Sequence, residues 1–180
     1  MTTIPVIETK RLILRGWDIG DLDSFFALYE DRQYASYVSS VETRWQAFEK
    51  LAALIGHWHM RGFGRFSVRE KSTGKLIGHC GGSQIDGNRE HEMNYTFHPD
   101  IAGQGYASEA VISALRYFYT KCGWVTAVSE IHPENTRSIA LAKRLGAAFE
   151  TTRTKDGVGY QMWRHLSSEV LEKRFSEVGA

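Results

Sequence analysis

The sequence predicts an α/β fold in which one mixed sheet is covered by helices, and three observations carry that prediction. Runs of alternating apolar and polar residues and runs with a 3.6-residue apolar period succeed one another in the order β α α β β β α β α β β. The chain has 180 residues and 42% hydrophobic content, enough to bury one core, so residues 1–180 are expected to form a single domain. A glycine-marked loop, Gly103-Gln104-Gly105-Tyr106-Ala107-Ser108-Glu109, joins a strand-like run to a helix-like run.

Arg11-Leu12-Ile13-Leu14-Arg15 alternates charge with apolar bulk and reads as the first strand. Asp21 is a good N-cap for a helix whose face is Leu22, Phe25, Phe26 and Tyr29. The polar stretch 32–40 is a loop. Trp45, Phe48, Leu51, Ala52, Ile55 and His59 mark a second helix that ends before Gly62. Strands are expected over 65–70 and 76–85, with Ser72-Thr73-Gly74-Lys75 as the turn between them, and over 92–98 after a turn at 86–89. Ala107, Ala110, Val111, Ala114, Leu115 and Phe118 recur at the spacing of a helix's buried stripe. A strand over 125–131 and a helix over 135–145 follow, with Gly146 as the C′ residue. Strands over 148–154 and 158–164 bracket the hairpin turn Lys155-Asp156-Gly157. The stripe Val170, Leu171 and Phe175 marks a helical tail over 167–178 that packs on the domain or on a partner.

A glycine loop at a helix start presents N–H groups without intrahelical partners and the positive end of the helix dipole, and its small residues let an anion reach the backbone. The strand before it, Met93 to Phe97, closes on His98-Pro99-Asp100, where proline ends pairing. The spacing is neither the six-residue fingerprint of dinucleotide folds nor a P-loop, and an ordinary tight turn uses the same glycines.

Composition removes several function classes. Lys+Arg 22 against Asp+Glu 21 leaves no basic excess of the kind a nucleic-acid surface carries. No apolar run reaches the length of a membrane span and Met1-Thr2-Thr3 does not open a signal peptide, so a cytoplasmic protein without membrane contact is expected. Cys80 and Cys122 sit in apolar contexts and read as free thiols. His57 and His59 flank Trp58 with no further ligand at metal spacing, so no metal is expected.

Three segments point to one family. They are Glu8-Thr9-Lys10-Arg11-Leu12-Ile13-Leu14-Arg15; Tyr95-Thr96-Phe97-His98-Pro99-Asp100 running into Gly103-Gln104-Gly105-Tyr106-Ala107-Ser108-Glu109-Ala110; and Asn135-Thr136-Arg137-Ser138-Ile139-Ala140 leading to Lys143-Arg144-Leu145-Gly146-Ala147. In this order, across nearly the whole chain, they resemble the GCN5-related N-acetyltransferases, and among these the ribosomal-protein N-terminal acetyltransferases. The resemblance implies the acyl-CoA N-acyltransferase fold, with a mostly antiparallel mixed sheet flanked by helices. It implies acetyl-CoA as co-substrate and a primary amine as acceptor, attacking directly in a ternary complex. Gly103, Gln104, Gly105, Tyr106, Ala107 and Ser108 would hold the pyrophosphate, Phe97 and His98 would pair with the pantetheine arm as an added strand does, and Asn135 would both cap its helix and bind pantetheine. Asn94 stands where the branch often has glycine beside a strand bulge, and Asn tolerates the positive φ such a bulge uses. Ala102 departs from the Gln or Arg many members carry at the start of the loop.

The chemistry requires a base for the amine, donors for the oxyanion and a proton for the thiolate. Backbone N–H groups near Phe97 or His98 would serve the oxyanion. The tyrosine acid of many members is absent, because its position here is Ala142. The branch suggests Ser138 as the group nearest the sulfur, although Ser138 also suits the first turn of a helix capped by Asn135. Glu92 and His98 share a strand face with Asn94 and Thr96 and are the candidate bases, against the alternatives of a solvated carboxylate and a turn histidine. An α-amine, with a pKa near 8, needs less help than a lysine, near 10, so a weak base signal favours N-terminal over side-chain acetylation; the expected acceptor is a protein N-terminal α-amine or a small amine. In the family the acceptor site is lined by the first two helices and their loop, which places Tyr34, Tyr37 and Trp45 there, against the alternative that these aromatics belong to the core. The acidity of Asp18, Asp21, Asp23, Glu30 and Asp31 would draw a cationic acceptor such as a polyamine or aminoglycoside, though the aspartates also suit a helix N-terminus. A non-catalytic acyl-CoA sensor is the alternative of another class. Sheet edges and the C-terminal helix are compatible with a homodimer.

Overall fold

The protein is described by a computed structural model covering residues 3–29, 37, 41–84 and 90–176. Its elements are β1 (Ile7–Glu8), β2 (Leu12–Arg15), a 3-10 turn (Ile19–Asp21), α1 (Leu22–Ala27), α2 (Arg44–Arg61), β3 (Arg65–Glu70), β4 (Leu76–Ser83) and β5 (Glu92–Phe97). There follow a second 3-10 turn (Pro99–Ile101), α3 (Tyr106–Lys121), β6 (Val128–Ile131), α4 (Thr136–Arg144), β7 (Ala148–Lys155), β8 (Val158–Arg164) and α5 (Ser168–Phe175). The mixed sheet expected from the sequence is present, with one strand more: β1, two residues long, is too short to show an alternation. The expected loop at 32–40, apart from residue 37, and the turn at 86–89 lie outside the described residues.

The strands form one sheet in the order β1-β2-β3-β4-β5-β6-β8-β7, antiparallel throughout except between β5 and β6. That parallel junction is almost unpaired: Glu92 opposite Val128 is its one ladder position. Val128 N–H donates to His91 O (3.0 Å) and the Ser129 hydroxyl to Met93 O (2.6 Å), and beyond them the strands diverge. The sheet is therefore split into a five-strand half and a three-strand half, open toward the C-terminal end of β5.

Helix α3 fills one face. Ala110, Val111, Ala114, Leu115 and Phe118 are fully buried among Leu12, Leu14, Phe66, Val68, Cys80 and Met93. Ile112 and Tyr119 are buried as well, outside the stripe read from the sequence. The reason is α5, whose Leu171 and Phe175 join this core while Tyr119 donates to Leu166 O (2.7 Å) and Arg116 to Glu172 (2.8 Å). The C-terminal helix thus packs on α3 of its own chain. Helix α2 opens on a Thr43–Gln46 capping box and closes on Gly62 at φ 76°, the left-handed cap that glycine takes without strain. Its Trp45 is two-thirds exposed and stacks on Phe48, so neither residue joins the core.

Two local expectations change. Asn94 lies outside the positive-φ region and the β4–β5 register passes it without a shift, so there is no bulge in that ladder; its amide instead donates to the Ser83 hydroxyl (2.7 Å). Asp21 does not cap α1 with its side chain. It is buried and accepts from Arg15 (2.6 and 2.9 Å), Arg69 (2.5 Å) and Asp18 N–H (3.1 Å), while Asp18 caps the 3-10 turn through Gly20 N–H. Two arginines reaching across from β2 and β3 outbid the nearby N–H groups, because charge-assisted bonds in a buried site are the stronger.

Burial pushes the Asp21 carboxyl up, but the bonds from Arg15, the Asp18 backbone and Arg69 outweigh it and hold the group below its ordinary range. A carboxyl depressed in the folded state stabilises above its unfolded pKa and loses that contribution as pH falls through the folded value. Asp21→Asn is therefore expected to cost about 3 kcal/mol in urea melts near neutral pH. The gap from wild type should close as pH falls below about 4.

Candidate active site

The split between β5 and β6 opens into a cleft of about 770 Å³. Its walls are Tyr95 to Pro99 on one side and Glu134 to Ser138 with Leu141 and Arg144 on the other, and the loop from Ile101 to Ser108 closes one end. His98 N–H donates to Ile77 O (2.8 Å). Because the bonds of an antiparallel ladder alternate in direction, Phe97 and Tyr95 turn their N–H and C=O groups the other way, toward the gap left by β6. The oxyanion donor expected near Phe97 or His98 is thereby narrowed. The His98 N–H is committed to β4, and those of Phe97 and Tyr95 border the cleft.

The loop is built to present backbone. Gly103 and Gly105 have φ of 77° and 80°, a region L side chains avoid. Gly105 is the N-cap of α3 and has no side chain to offer. The first intrahelical bond runs from Glu109 N–H to Gly105 O, so the N–H groups of Tyr106, Ala107 and Ser108 lie ahead of the helical ladder. The Ser108 hydroxyl is buried at the cleft without a hydrogen-bond partner among the described residues. A row of N–H groups at the positive end of a sixteen-residue helix, beside an unused hydroxyl, fits a pyrophosphate. Gln104 and Tyr106 contribute backbone only. The Gln104 amide turns back to Asp100 O (2.8 Å), and the Tyr106 hydroxyl is bound to Glu70 (2.5 Å).

The loop is held by a group the sequence reading did not assign. Glu109, buried in the first turn of α3, accepts from the Thr9 hydroxyl (2.6 Å), Arg11 N–H (3.0 Å) and Arg11 Nε (2.7 Å). Arg11 also donates to Gln104 O (2.9 Å) and lies 4.2 Å over the Tyr106 ring. Burial pushes the Glu109 carboxyl up, but the Thr9 and Arg11 bonds prevail and keep it below its ordinary range. The signal was present in the Thr9-Lys10-Arg11 motif and in Glu109; that they meet across about a hundred residues was not.

On the opposite wall, Asn135 caps α4 by accepting from Ser138 N–H (3.1 Å), and the Tyr95 hydroxyl donates to Ser138 O (3.1 Å). Tyr95 thus ties β5 to α4 across the cleft, and Ser138 lines it. Ala142 is fully buried with Ile131, Ala147 and Trp163, so a side chain there points into the core.

The two candidate bases are far apart. His98 lines the cleft, but its Nδ1 accepts from Asp100 N–H (3.3 Å) and caps the second 3-10 turn, which is the turn role. Glu92 lies at the apex of the split and does not line the cleft described above. It is partly buried, accepts from Ser83 (3.3 Å), and faces the side of the sheet covered by α1 and α2. Burial raises its carboxyl above the ordinary range, with Arg65 opposing. Six residues of extended strand, about 20 Å, separate the two, so they cannot serve the same atom.

Of the expected acceptor residues, Tyr37 lines the cleft with its ring 5.1 Å from that of His132, the exposed Trp45 does not line it, and Tyr34 lies outside the described residues. The acidity expected to draw a cation is largely consumed. Asp18 caps a turn, Asp21 holds two arginines and Asp23 pairs with Arg44. Glu30 and Asp31 lie outside the described residues. Among the described residues no group of three His, Cys, Asp or Glu is placed to hold a metal ion, and no helix is long and apolar enough to cross a membrane.

Residues 11–148 match the family model described as an acetyltransferase (GNAT) domain. The chain is 31% identical over 142 residues to the N-acetyltransferase p20 of Bacillus licheniformis, covering 77% of this chain and 80% of that protein. In structure it is similar to RimL, a ribosomal L7/L12 alpha-N-protein acetyltransferase solved with coenzyme A (TM-score 0.78, 16% identity, 91% and 99% covered). It is similar also to a spermidine N-acetyltransferase from Vibrio cholerae solved with CoA and spermine (TM-score 0.70, 23% identity, 89% and 97% covered).

Glu109→Gln, which keeps the shape and removes the charge, is expected to cost about 1–2 kcal/mol, since Arg11 is partly solvated. Hydrogen exchange should show the Arg11 amide losing protection before the core of α3 does.

Proposed function

We propose, from the premise that this chain belongs to the GNAT acetyltransferase family and is an N-acetyltransferase, that it transfers acetyl from acetyl-CoA to a protein N-terminal α-amine or a small amine within a ternary complex. The observation that carries the reading is the cleft itself. A left-handed glycine loop aims backbone N–H groups into one end of it, and a strand edge freed by the split forms its wall. The loop N–H groups and the Ser108 hydroxyl would hold the pyrophosphate, and the Phe97 and Tyr95 backbone with Asn135 would hold the arm. Acetyl-CoA supplies the acyl group and a thiol leaving group.

The remaining roles fall to side chains already placed. Ser138, in the first turn of α4, is the hydroxyl proposed to hydrogen-bond the departing sulfur. Glu92 is proposed as the base, acting through water from the α1–α2 side of the sheet. Its raised carboxyl supports this, since a base works best with a pKa near the operating pH. The cap that His98 provides favours Glu92 over His98. Residues 1–180 are read as one catalytic domain, with Tyr37 at the acceptor end of the cleft.

The deciding experiment is thiol release from acetyl-CoA against peptide N-termini, lysine peptides, polyamines and aminoglycosides, with cofactor binding followed by calorimetry. Release with peptide N-termini or small amines supports the reading, and binding without release from any amine sinks it. Ser138→Ala should lower kcat by about tenfold to a hundredfold, the loss of one bond to a charged group, and leave the Kd for acetyl-CoA nearly unchanged. Unchanged turnover removes Ser138 from the mechanism. Gly105→Asp sets a carboxylate against the pyrophosphate and should weaken binding by on the order of a hundredfold. Its circular dichroism should remain native, and native affinity in the folded variant refutes the loop assignment.

A further inference from the structure

On the sheet face opposite α3, the register places Arg65, Gly81 and Asn94 in one row across β3, β4 and β5, and Ser83 and Glu92 as the adjoining pair. Partners across strands share a face. A Cβ built on Gly81 would meet Gly64 O at 2.4 Å and Arg65 Cα at 2.8 Å, so no side chain stands between Arg65 and Asn94. From above, Tyr29 at the end of α1 and Lys50 of α2 close over the same region, with Lys50 Nζ 4.7 Å from the Tyr29 ring centroid and the Tyr29 hydroxyl 3.3 Å from His79 Nε2.

Arg65 is anomalous there. The five other half-buried arginines among the described residues, Arg11, Arg15, Arg69, Arg116 and Arg164, each hold a carboxylate at 2.5 to 2.8 Å. Arg65 has no ion pair or side-chain hydrogen bond among the described residues; burial lowers it, and the charge of Glu92 and the Tyr29 hydroxyl oppose that. A half-buried cation with no ion pair among the described residues marks a place that suits an anion. Glu92 is itself engaged by Ser83, and Asp18, Asp21 and Asp23 are bound elsewhere. Among the described residues no carboxylate is left to pair with Arg65.

We infer that the acceptor is an amine that carries a carboxylate a few bonds away, the carboxylate seating on Arg65 while the amine faces Glu92. This rests on the assignment of Glu92 as the base. Arg65 is then the specificity-determining residue, and the substrate class is amino acids or acidic peptide N-termini, as opposed to polyamines or aminoglycosides.

The test uses acid and amide pairs: free amino acids against their amides, and tripeptides beginning with Asp or Glu against those beginning with Asn or Gln, with spermidine as the polycation. Wild type should favour the acid member by at least about tenfold in kcat/KM, the worth of one charge-assisted bond. Arg65→Leu should abolish the preference through KM, leave acetyl-CoA affinity unchanged and raise the Tm, whereas Arg65→Lys should retain part of the preference. A preference among amino acids alone names a small-molecule acceptor, and one among peptides alone names an acidic N-terminus; either supports the inference. Equal turnover of acid and amide by wild type overturns it. So does a preference that survives Arg65→Leu, or an Arg65→Leu variant that shifts only the acid limb of the pH profile, which would make Arg65 an electrostatic partner of Glu92. The same pairs are titrated onto CoA-loaded protein, which separates this inference from the reading of function. Acid members that bind wild type but not Arg65→Leu support the site even if no amine is acetylated, and acid members that bind neither protein overturn it.

Discussion

The constraint on which the rest depends is that β5 and β6 run parallel but share one ladder position. A sheet interior cannot leave its N–H and C=O groups without partners, so a split of this kind stands only where other groups take over the edge. Here the Ser129 hydroxyl takes Met93 O at the apex and the Tyr95 hydroxyl reaches Ser138 O across the gap. What remains is a length of β5 edge facing a cleft, which an extended ligand can complete as a strand would. The split is thus both the structural irregularity and the proposed binding surface.

The loop that closes the cleft depends on a contact far from it in sequence. Gly103 and Gly105 permit the left-handed turns but do nothing to hold them. Thr9 and Arg11 do so through Glu109, and Arg11 reaches on to Gln104 O and the Tyr106 ring. Buried under a helix N-terminus, the Glu109 carboxylate also sits at the favourable end of the dipole. The contacts that precede the first long strand therefore do more than extend the sheet: they set the loop's backbone donors in place, which would lower the ordering cost of the proposed binding.

The two faces of the sheet divide the labour. Under α3 lies an apolar core of Leu12, Leu14, Phe66, Val68, Cys80 and Met93. On the α1–α2 side the same strands carry Arg65, His79, Ser83, Glu92 and Asn94. His79 is held neutral, well below its ordinary range, by burial and by the charges of Arg65 and Lys50, and its Nδ1 has no partner. Helices α1 and α2 close over these polar groups through a second apolar cluster that includes Trp17, Phe25, Leu28, Ala47, Leu51 and Leu76.

Period and turn chemistry made most elements legible in the sequence, because they are local. Arg65–Glu70, Val158–Arg164, the Gly62 cap and the Asn135 cap all stand where side-chain alternation and capping place them. The glycine loop was legible as a left-handed turn into a helix start for the same reason, and three ordered motifs were enough to suggest the family. What the sequence could not decide was which long-range partner wins a side chain. Asp21 reads as a cap until two arginines from neighbouring strands claim it, and Glu109 reads as a helix residue until Thr9 and Arg11 arrive. His98 and Glu92 share a strand face, yet only the opening of β5 from β6 separates a cleft turn from a carboxylate at the apex. The sequence by itself determined the elements and the loop, since these follow from neighbours a few residues apart; the tertiary structure alone decided the charge pairing, because in a buried site the strongest partner within reach prevails over the nearest in sequence.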